Sequence, residues 1–502
     1  MINKTKSKPA GPARPEDEKL SIGASLTYGL QHVLTMYGGI IAVPLIIGGA
    51  AGLDSAEKGL LIAACLFIGG LATLLQTIGV PFFGSQLPLV QGVSFASVST
   101  MTAIVTEGGG LPAVFGAVMV SAAIGLLITP VFSKVIKFFP AVVTGSVITT
   151  IGLTLMPVAA GWAMGGFGSD DFGAVSNIGL AALTLAIVIL LSKIGNAAIS
   201  RLSILLAIVV GTLVAIPFGM ADFSNVSSGP IVAFPAPFAF GLPTFDIAAI
   251  LSMLIVVIVI MTETSADILA VGEIVGSKVD SRRISDGLRA DMLASTIAPV
   301  FGSFSQSAFA QNVGLVAITG IKSRFVVSAG GAILVILGLL PVLGRVVAAV
   351  PTAVLGGAGV ILFGTVAASG IRVLSKVNYT GNMNLIIVAA SIGFGMLPIA
   401  APSFYDNFPS WFSTIFHSGI SSAAIMAILL NILFNHIKAG NAKNSSVLAA
   451  SPPRMVREEE LKALEDGDYY LGCKLISADG NEIEIEIVPT GSVPIIRNDR
   501  HH

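Results

Sequence analysis

The sequence predicts an all-α polytopic membrane protein with fourteen transmembrane segments in two inverted halves of seven. Composition, the succession of apolar runs and an internal similarity support this fold class. The 502 residues are 54% hydrophobic and 11% charged, with a mean hydropathy of +0.90. Because soluble domains contain about 25% charged residues, a soluble globular protein is excluded. The net charge of −1 gives no indication of a nucleic-acid partner.

Apolar runs approaching the roughly 20 residues that a membrane helix needs recur throughout the chain. The third and tenth runs are short, contain polar residues and glycines, and are the least typical of full spans. The fourteen segments cover residues 28–50, 58–80, 84–105, 111–132, 140–163, 174–192, 202–220, 246–272, 287–303, 305–321, 325–344, 351–370, 383–400 and 416–435.

Polar termini flank this apolar region. Residues 1–23 are predicted to form a cytosolic tail without a cleavable signal, because the first apolar run is long enough to span a membrane. Residues 24–437 form the transmembrane part, and residues 438–502 form a cytosolic C-terminal tail. The isolated cysteines, Cys65 and Cys473, indicate neither a disulfide framework nor a metal site.

Within the C-terminal tail, the composition changes again. Residues 441–453 are typical of a linker, and residues 454–465 predict a short charged helix. Residues 481–488 alternate between polar and apolar types, as a strand does. No function is assigned to this tail.

The basic residues indicate the orientation, since cytoplasmic loops of membrane proteins are enriched in lysine and arginine. If the N-terminus is cytoplasmic and the segments alternate, all of the 27 lysines and arginines except Lys58 and Arg345 lie on that side. Omitting one segment would distribute them over both faces. We therefore expect an even number of spans, with both termini on the cytoplasmic side of the cell inner (plasma) membrane.

Two short patterns occur once in each half of the chain. Pro140 and Pro351 are each followed by glycine five residues later, and Phe95-Ala96 is matched by Phe309-Ala310 at nearly the same offset. These matches divide the chain into two halves of seven segments. An odd number of segments per half places the second half upside down, which is the inverted-repeat arrangement of secondary transporters.

The third and tenth segments, around residues 91–97 and 309–320, correspond in this repeat. Paired, interrupted segments are the best indication from sequence of a midplane binding site, because broken helices leave backbone groups that protein or substrate must cover. Gln311 and Asn312 form an amide pair in the second of these segments, and amides inside a membrane tend to mark function. Gly314 is interpreted as a close-packing point.

Few ionisable residues occur in the apolar segments. Glu263 and Asp267 lie four residues apart and therefore share one face of a helix; Asp291 and His32 occur in the ninth and first segments. Ionised carboxylates in hydrocarbon are costly unless they are protonated, hydrogen bonded or facing water. A structural polar network is the alternative for Glu263 and Asp267, a helix cap for Asp291, and a hydrogen bond to Asp267 or Asp291 for His32.

The motif Gln311-Asn312-x-Gly314-x4-Thr319-Gly320 resembles the signature of the nucleobase–ascorbate transporters, or nucleobase–cation symporter family 2. The resemblance covers about residues 20–440 and is closest to bacterial xanthine/uric acid permeases. Three further features match in chain order: Gln31-His32, Glu263-x3-Asp267 and Asp291.

The resemblance implies a core domain of segments 1–4 and 8–11 and a gate domain of segments 5–7 and 12–14. Segments 3 and 10 would each contribute a short strand and a half-helix. It also implies a homodimer formed through the gate domains, and alternating access in which the core slides against the gate.

The same resemblance implies roles for individual residues. Glu263 would accept hydrogen bonds from the ring N–H groups of a purine, Gln311 would bind the purine through two bonds, and Phe95 would stack on the ring. Backbone at Ala310 and Phe95 would complete the pocket, and Asn312 would support the tenth segment. The remaining candidates are Phe309 and Ser94 for substrate, Asp267, Asp291 and His32 for proton coupling, and Gly314 and Thr319 as motif residues.

Xanthine and/or uric acid is the substrate that the resemblance implies, because members that transport uracil typically have glutamate at the position of Gln311. The Thr319-Gly320 ending favours xanthine, whereas Ser94, which stands where some xanthine members have asparagine, weakens that preference. The expected coupling ion is H⁺, and no cofactor is expected. The alternatives are a permease for uracil or another nucleobase and, on the same fold, an anion transporter or channel. A membrane enzyme is not indicated.

Overall fold

The computed structural model describes residues 14–132, 139–194, 197–227, 229–379 and 382–437, together with three short strands further on. Helices dominate the described chain. Those of the first half are α1 (Ile22–Ala50), α2 (Ser55–Ile78), α3 (Val98–Ile104), α4 (Gly110–Ile128), α5 (Ala141–Thr154), α6 (Met156–Ala163), α7 (Val175–Ile194), α8 (Ala197–Arg201) and α9 (Ser203–Ala215). Those of the second half are α10 (Ile247–Val275), α11 (Ser281–Ile297), α12 (Ala310–Thr319), α13 (Arg324–Gly338), α14 (Pro341–Ala348), α15 (Thr352–Leu374), α16 (Asn382–Ala400), α17 (Ser410–Phe416) and α18 (Gly419–Asn431).

Among the described residues, 9 helical stretches are long and apolar enough to cross a membrane. The pair α13 and α14, bent by 80°, brings the number to 10 if it is one span. Helices α9 and α12 are apolar but shorter. The chain is therefore a multi-pass membrane protein, as the sequence predicts.

Helix α11 begins earlier than the predicted ninth segment. The side chain of Asp280 accepts a hydrogen bond from the Arg283 backbone N–H and caps the helix at Ser281. Asp291 consequently lies inside the helix, where it is 1% exposed. The interpretation of Asp291 as a helix cap is wrong, because the polar residues before position 287 belong to the same helix.

Two short strands meet where the third and tenth segments are interrupted. Strand β1 (Gln91–Val93) pairs antiparallel with β2 (Gln306–Ala308), and Gly92 lies opposite Ser307. The ladder extends beyond both strands, since Ser94 N donates to Ser305 O over 2.8 Å and Phe309 N donates to Val90 O over 3.1 Å. All residues of both strands are buried. Strand β1 leads into α3, and strand β2 leads into α12.

Each strand is also bound to a neighbouring helix by one hydroxyl group. Thr73 Oγ1 on α2 accepts a hydrogen bond from Gln91 N over 2.9 Å, and Ser295 Oγ on α11 accepts one from Gln306 N over 2.8 Å. The two contacts are equivalent, because in each half a helix hydroxyl group accepts from the backbone N–H of the first strand residue. They satisfy backbone donors that have no partner in the lipid core.

The helices pack in two sets. The first contains α1–α4 and α10–α14, in which α2 packs on α13 and α4 packs on α10 and α11. The second contains α5–α9, α15, α16 and α18, in which α15 packs on α5, α6 and α7, and α16 and α18 pack on α5; α17 packs on α10 of the first set and on α18. We call these the first and the second helix set.

Glycines allow the closest approach in the second helix set. A Cβ atom added at Gly152 on α5 would lie 2.2 Å from the backbone nitrogen of Ala367, and one at Gly370 on α15 would lie 2.3 Å from that of Thr149. Backbone atoms cannot move aside as a flexible side chain can. The crossing of α5 and α15 therefore depends on these two glycines.

The chain divides into two compact units, Met1–Ser446 and Val447–His502. In the second unit, strands β3 (Tyr469–Leu471), β4 (Lys474–Ile476) and β5 (Glu482–Ile483) form an antiparallel sheet in that order. The predicted strand at 481–488 is confirmed at Glu482–Ile483. The predicted linker at 441–453 and the predicted helix at 454–465 lie outside the described residues.

We expect Gly152→Ala to lower the free energy of unfolding by about 1–3 kcal/mol, because the added methyl group overpacks the α5–α15 crossing. Gly179→Ala on α7 is the matched control, since a Cβ there meets nothing within 4 Å, and alanine favours helix. Thermal unfolding of the purified proteins in detergent measures both effects. Equal melting temperatures for the two variants would contradict the proposed tight crossing.

Candidate functional site

Aromatic side chains surround the point where β1 and β2 meet. Phe95 follows β1 and Phe309 follows β2, with their ring centroids 6.5 Å apart and their planes inclined by 50°. Phe363 on α15 contacts Phe95 edge to face at 6.0 Å, and Trp162 lies 6.2 Å beyond Phe363. Phe309 is buried and Phe95 is half-buried. The ring of Phe95 therefore remains partly accessible for a planar ligand.

Helix α12 begins directly beside this aromatic group. Phe309 occupies its N-cap position, and no side-chain hydrogen bond caps this helix start in the described structure. Ala310 and Gln311 in the first turn are exposed. Backbone N–H groups in the first turn of a helix have no partner within the helix and are suited to bind an acceptor. The start of α12 thus offers backbone donors and the Gln311 amide to a ligand.

The start that follows β1 differs, because Ser94 is the N-cap of a short 3₁₀ turn, Phe95–Ser97, which precedes α3. The Ser94 hydroxyl accepts a hydrogen bond from Ala96 N over 3.2 Å, and Ser94 is 1% exposed. The predicted substrate-binding residue Ser94 therefore lies beside the site with its side chain engaged in shaping the backbone that follows β1.

Three carboxyl groups form a cluster next to β2. Glu263 and Asp267 lie half-buried on α10, which packs against α12, and Asp267 lies within electrostatic range of both Glu263 and Asp291. Thr264 lies beside Asp291, and its hydroxyl accepts the Ala308 N–H over 3.3 Å. The cluster is therefore connected to the strand crossing through α10.

Asn312 binds α12 to α1 through His32. Its Nδ2 donates to the His32 backbone oxygen over 3.0 Å and approaches His32 Nδ1 to 3.1 Å. Donation to Nδ1 requires that the imidazole carry its proton on Nε2. Both residues are buried. The predicted supporting role of Asn312 agrees with this geometry.

The interpretation of His32 as a partner of Asp267 or Asp291 is wrong. Its ring nitrogen lies against Asn312, and neither Asp291 oxygen has a hydrogen-bond partner among the described residues. Sequence spacing cannot distinguish these arrangements, because Asn312, Asp267 and Asp291 lie on three different helices, of which α12 packs on α1.

The two remaining motif residues have separate surroundings. Gly314 is exposed, and a Cβ atom there would meet nothing within 4 Å, so its interpretation as a close-packing point is wrong. Thr319 Oγ1 donates to Leu315 O over 2.8 Å and accepts the Ile321 N–H over 3.4 Å. Gly320 follows with φ of 66°, a left-handed conformation suited to glycine. Thr319 and Gly320 thus end α12.

The two half-helices α3 and α12 differ in exposure. Applying the offset that relates Phe95 to Phe309, each exposed residue on one face of α12 corresponds to a buried residue of α3 or of the 3₁₀ turn that precedes it. The site is therefore accessible along α12 and closed along α3. The exposed residues are Ala310, Gln311, Gly314 and Ala317, and their buried counterparts are Ala96, Ser97, Thr100 and Ala103.

Two residues near the crossing were not identified from the sequence as candidates for the site. Phe363 occurs in a continuous apolar run, so no pattern marks it as a neighbour of Phe95. Gln91 is fully buried, and neither polar atom of its side chain has a partner among the described residues. An amide in the interrupted third segment is the signal that could have identified Gln91.

A helical membrane protein with a site between two interrupted, corresponding segments has the architecture of a secondary transporter. Residues 23–404 match the model of the Xan_ur_permease family, which is described as a permease family. The chain belongs to this family, that of the nucleobase–ascorbate transporters, and is a transporter rather than an enzyme.

Curated relatives match over most of their length. Xanthine permease of Bacillus subtilis strain 168 is 42% identical over 413 residues, which cover 82% of this chain and 94% of that protein. Uric acid transporter UacT of Escherichia coli strain K12 is 40% identical over 432 residues, which cover 85% of this chain and 90% of that protein. Xanthine permease XanP of the same strain is 31% identical over 434 residues, which cover 83% of this chain and 93% of that protein.

Solved structures of similar fold include two transporters of distant sequence. The transmembrane domain of the cyanobacterial bicarbonate transporter BicA matches with a TM-score of 0.51 at 16% identity, covering 83% of this chain and all of that one. The murine anion transporter Slc26a9 in the inward-facing state matches with a TM-score of 0.55 at 14% identity, covering 86% of this chain and 74% of that one. These similarities establish the fold.

Truncation of the two neighbouring amides should affect stability to different extents. We expect Asn312→Ala to lower the free energy of unfolding by about 1–3 kcal/mol, because it removes the partner of buried His32 groups. Gln311→Ala, which removes an exposed amide, should leave the free energy of unfolding nearly unchanged. Thermal unfolding without ligand measures both. A larger loss for Gln311→Ala would contradict the assignment of Asn312 as the structural amide.

Proposed function

We propose that this chain is a secondary active purine permease that takes up xanthine and/or uric acid together with a proton, by alternating access across the cell inner membrane. The placement of Glu263, Gln311 and Phe95 around the strand crossing carries this proposal. Similarity to a xanthine permease and to a uric acid transporter supports the substrate class.

The chemistry of an oxidised purine fits the groups around the crossing. Such a base presents ring N–H donors, carbonyl acceptors and a flat apolar face. Glu263 accepts from the N–H groups, Gln311 both donates and accepts, and Phe95 covers the ring face. The N–H groups of the first turn of α12, beginning at Ala310, donate to a carbonyl oxygen. Phe309 supports Phe95 from behind.

The carboxyl cluster supplies the coupling proton. Asp267 lies within electrostatic range of both Glu263 and Asp291, and three carboxylates in a membrane interior are too costly to be ionised together. A proton shared among them can enter with the substrate and leave after it. The His32–Asn312 contact holds α12 in place while this exchange occurs. Sodium coupling is the alternative that the uptake measurement below distinguishes.

An inverted repeat of seven plus seven segments accounts for the observed packing. The elements correspond in pairs: α1 with α10, α2 with α11, β1 and α3 with β2 and α12, and α4 with α13. A two-fold axis in the membrane plane relates the α2–α13 contact to the α11–α4 contact, and it requires equivalent strands to pair antiparallel, as β1 and β2 do. The remaining elements complete fourteen spans.

The two helix sets correspond to a core and a gate domain. We assign the first helix set to the core, which holds the strands and the carboxyl cluster, and the second to the gate, which contributes Phe363. With both termini cytoplasmic, the exposed face of α12 opens toward the cytoplasm. The family resemblance further implies a homodimer through the gate domains.

An inorganic anion is the second candidate substrate, because the similar solved structures include bicarbonate and anion transporters. A site for such anions requires basic groups, whereas Glu263 and Asp267 are acidic. The distant structures share the fold at 14–16% identity, and fold alone does not assign a substrate. A uracil permease is disfavoured by Gln311, because the members of the family that transport uracil typically have glutamate at this position.

Glu263→Gln should abolish proton-driven uptake of radiolabelled xanthine in cells, because the amide cannot accept from both ring N–H groups or carry a proton. Glu273→Gln, a change on the same helix α10 outside the cluster, is the matched control and should retain uptake. Wild-type uptake by Glu263→Gln, with membrane expression confirmed, would contradict the role of Glu263.

Uptake of radiolabelled xanthine should collapse when a protonophore is added and should persist when external sodium is replaced. Unlabelled xanthine should compete, whereas uracil and bicarbonate should not; competition by uric acid distinguishes a permease for both purines from one for xanthine alone. Sodium dependence would overturn proton coupling, and uptake of bicarbonate without uptake of xanthine would favour the anion transporter.

A further inference from the structure

A polar contact connects the junction of α3 and α4 with α17 and α18, at the closed side of the site. We propose that this contact is an extracellular seal, in which Glu107 and His417 form the outer layer and four buried hydroxyl groups form the inner layer. The assignment to the extracellular side rests on the proposed function and its orientation. The seal would have to open before substrate enters.

The outer layer centres on Glu107. Its Oε1 lies 2.8 Å from His417 Nδ1, and its Oε2 accepts a hydrogen bond from the Thr414 hydroxyl. Asp406 approaches the other ring nitrogen of His417 to 3.8 Å, and the ring of Tyr405 lies 5.7 Å away. The side chains of Glu107 and His417 are only 23% and 22% exposed.

Backbone geometry directs Glu107 toward α17. The residue lies in a π-helical turn, Val105–Gly109, between α3 and α4. Gly108 adopts φ of 94° and Gly110 φ of 62°, values that favour glycine over other residues. The chain therefore kinks at this point without strain and holds the carboxylate beside His417 and Thr414.

The inner layer lies one to two helical turns below. Thr100 Oγ1 on α3 is 2.6 Å from Ser418 Oγ and 3.3 Å from Ser421 Oγ, and Ser252 Oγ on α10 is 3.0 Å from Ser421 Oγ. All four residues are fully buried. Hydroxyl groups both donate and accept, so water can replace these bonds when the surfaces separate.

The inner layer connects the two helix sets directly, because Thr100 and Ser252 belong to the first set and Ser418 and Ser421 belong to the start of α18 in the second. The outer layer connects Glu107 of the first set to Thr414 on α17 and His417 at its end, directly before α18. A substrate path on this side must pass between these two sets. Because alternating access opens one side at a time, contacts of this kind must form and break within each cycle.

The inverted repeat supports the assignment independently. Thr100, which is covered by Ser418 and Ser421, corresponds to Gly314, whose surroundings are open. The stretch that follows α12, residues 320–323, contains Lys322 and no acidic residue. The structure therefore shows one end closed by a polar seal and the equivalent surface at the other end uncovered.

The experiment measures access from outside the cell. Ala103→Cys places a thiol on the buried face of α3, between the two layers; Ala103 is 6% exposed. Intact cells expressing this protein are treated with a membrane-impermeant maleimide, and the labelling rate is followed. The protein with Ala103 unchanged is the background control, because any labelling that it shows arises from Cys65, which is fully buried, or from Cys473.

We expect Glu107→Ala, His417→Ala and Thr100→Val each to increase the labelling rate of Ala103→Cys at least severalfold. Thr100→Ser, which retains the hydroxyl group, should leave the labelling rate of Ala103→Cys as low as in the protein that carries Ala103→Cys alone. Asp170→Ala changes an exposed acid on the same predicted face and is the matched control. Melting temperatures close to that of the reporter show that faster labelling does not arise from unfolding.

Unchanged labelling in Glu107→Ala and Thr100→Val, or equal acceleration by Thr100→Ser and Thr100→Val, would overturn the seal. Thiol labelling does not depend on purine transport. A protein that shows the predicted labelling pattern but takes up no xanthine would therefore contradict the proposed substrate and support the seal. A protein that takes up xanthine but shows unchanged labelling in the variants would support the proposed substrate and contradict the seal.

Discussion

Antiparallel hydrogen bonding between β1 and β2 is the constraint on which the site depends. A helix that breaks inside a membrane exposes backbone groups to a medium without hydrogen-bond partners, and each unsatisfied group costs several kcal/mol. Here each broken segment satisfies the other, and Thr73 and Ser295 satisfy the strand starts. The same bonds fix where α3 and α12 begin, and hence where Phe95 and Gln311 lie.

Helical geometry then separates the functions of adjacent residues. Successive positions on a helix differ by about 100° in direction, given 3.6 residues per turn. Asn312 consequently faces α1 and binds His32, whereas Gln311 faces the open space beside the crossing. Glu263 and Asp267, four residues apart, remain on one face of α10. A single turn of helix thus carries both a buried structural amide and an exposed amide.

The location of the candidate site is predicted from the sequence, since amides and ionisable residues are rare in its apolar segments. The multi-pass architecture also follows from the apolar runs. Pair contacts could not be predicted: the partner of His32, the open surroundings of Gly314 and the edge contact of Phe363 depend on how separate helices pack. The bend between α13 and α14 likewise interrupts what is one apolar segment, 325–344, in the sequence.

A structure of the protein determined with xanthine bound tests the central claim most directly. The account predicts purine density between Phe95 and the first turn of α12, with Glu263 and Gln311 at hydrogen-bond distances of about 3 Å. Density in the apolar groove between α1, α9 and α15, lined by Trp162, Ile204 and Leu362, would contradict it.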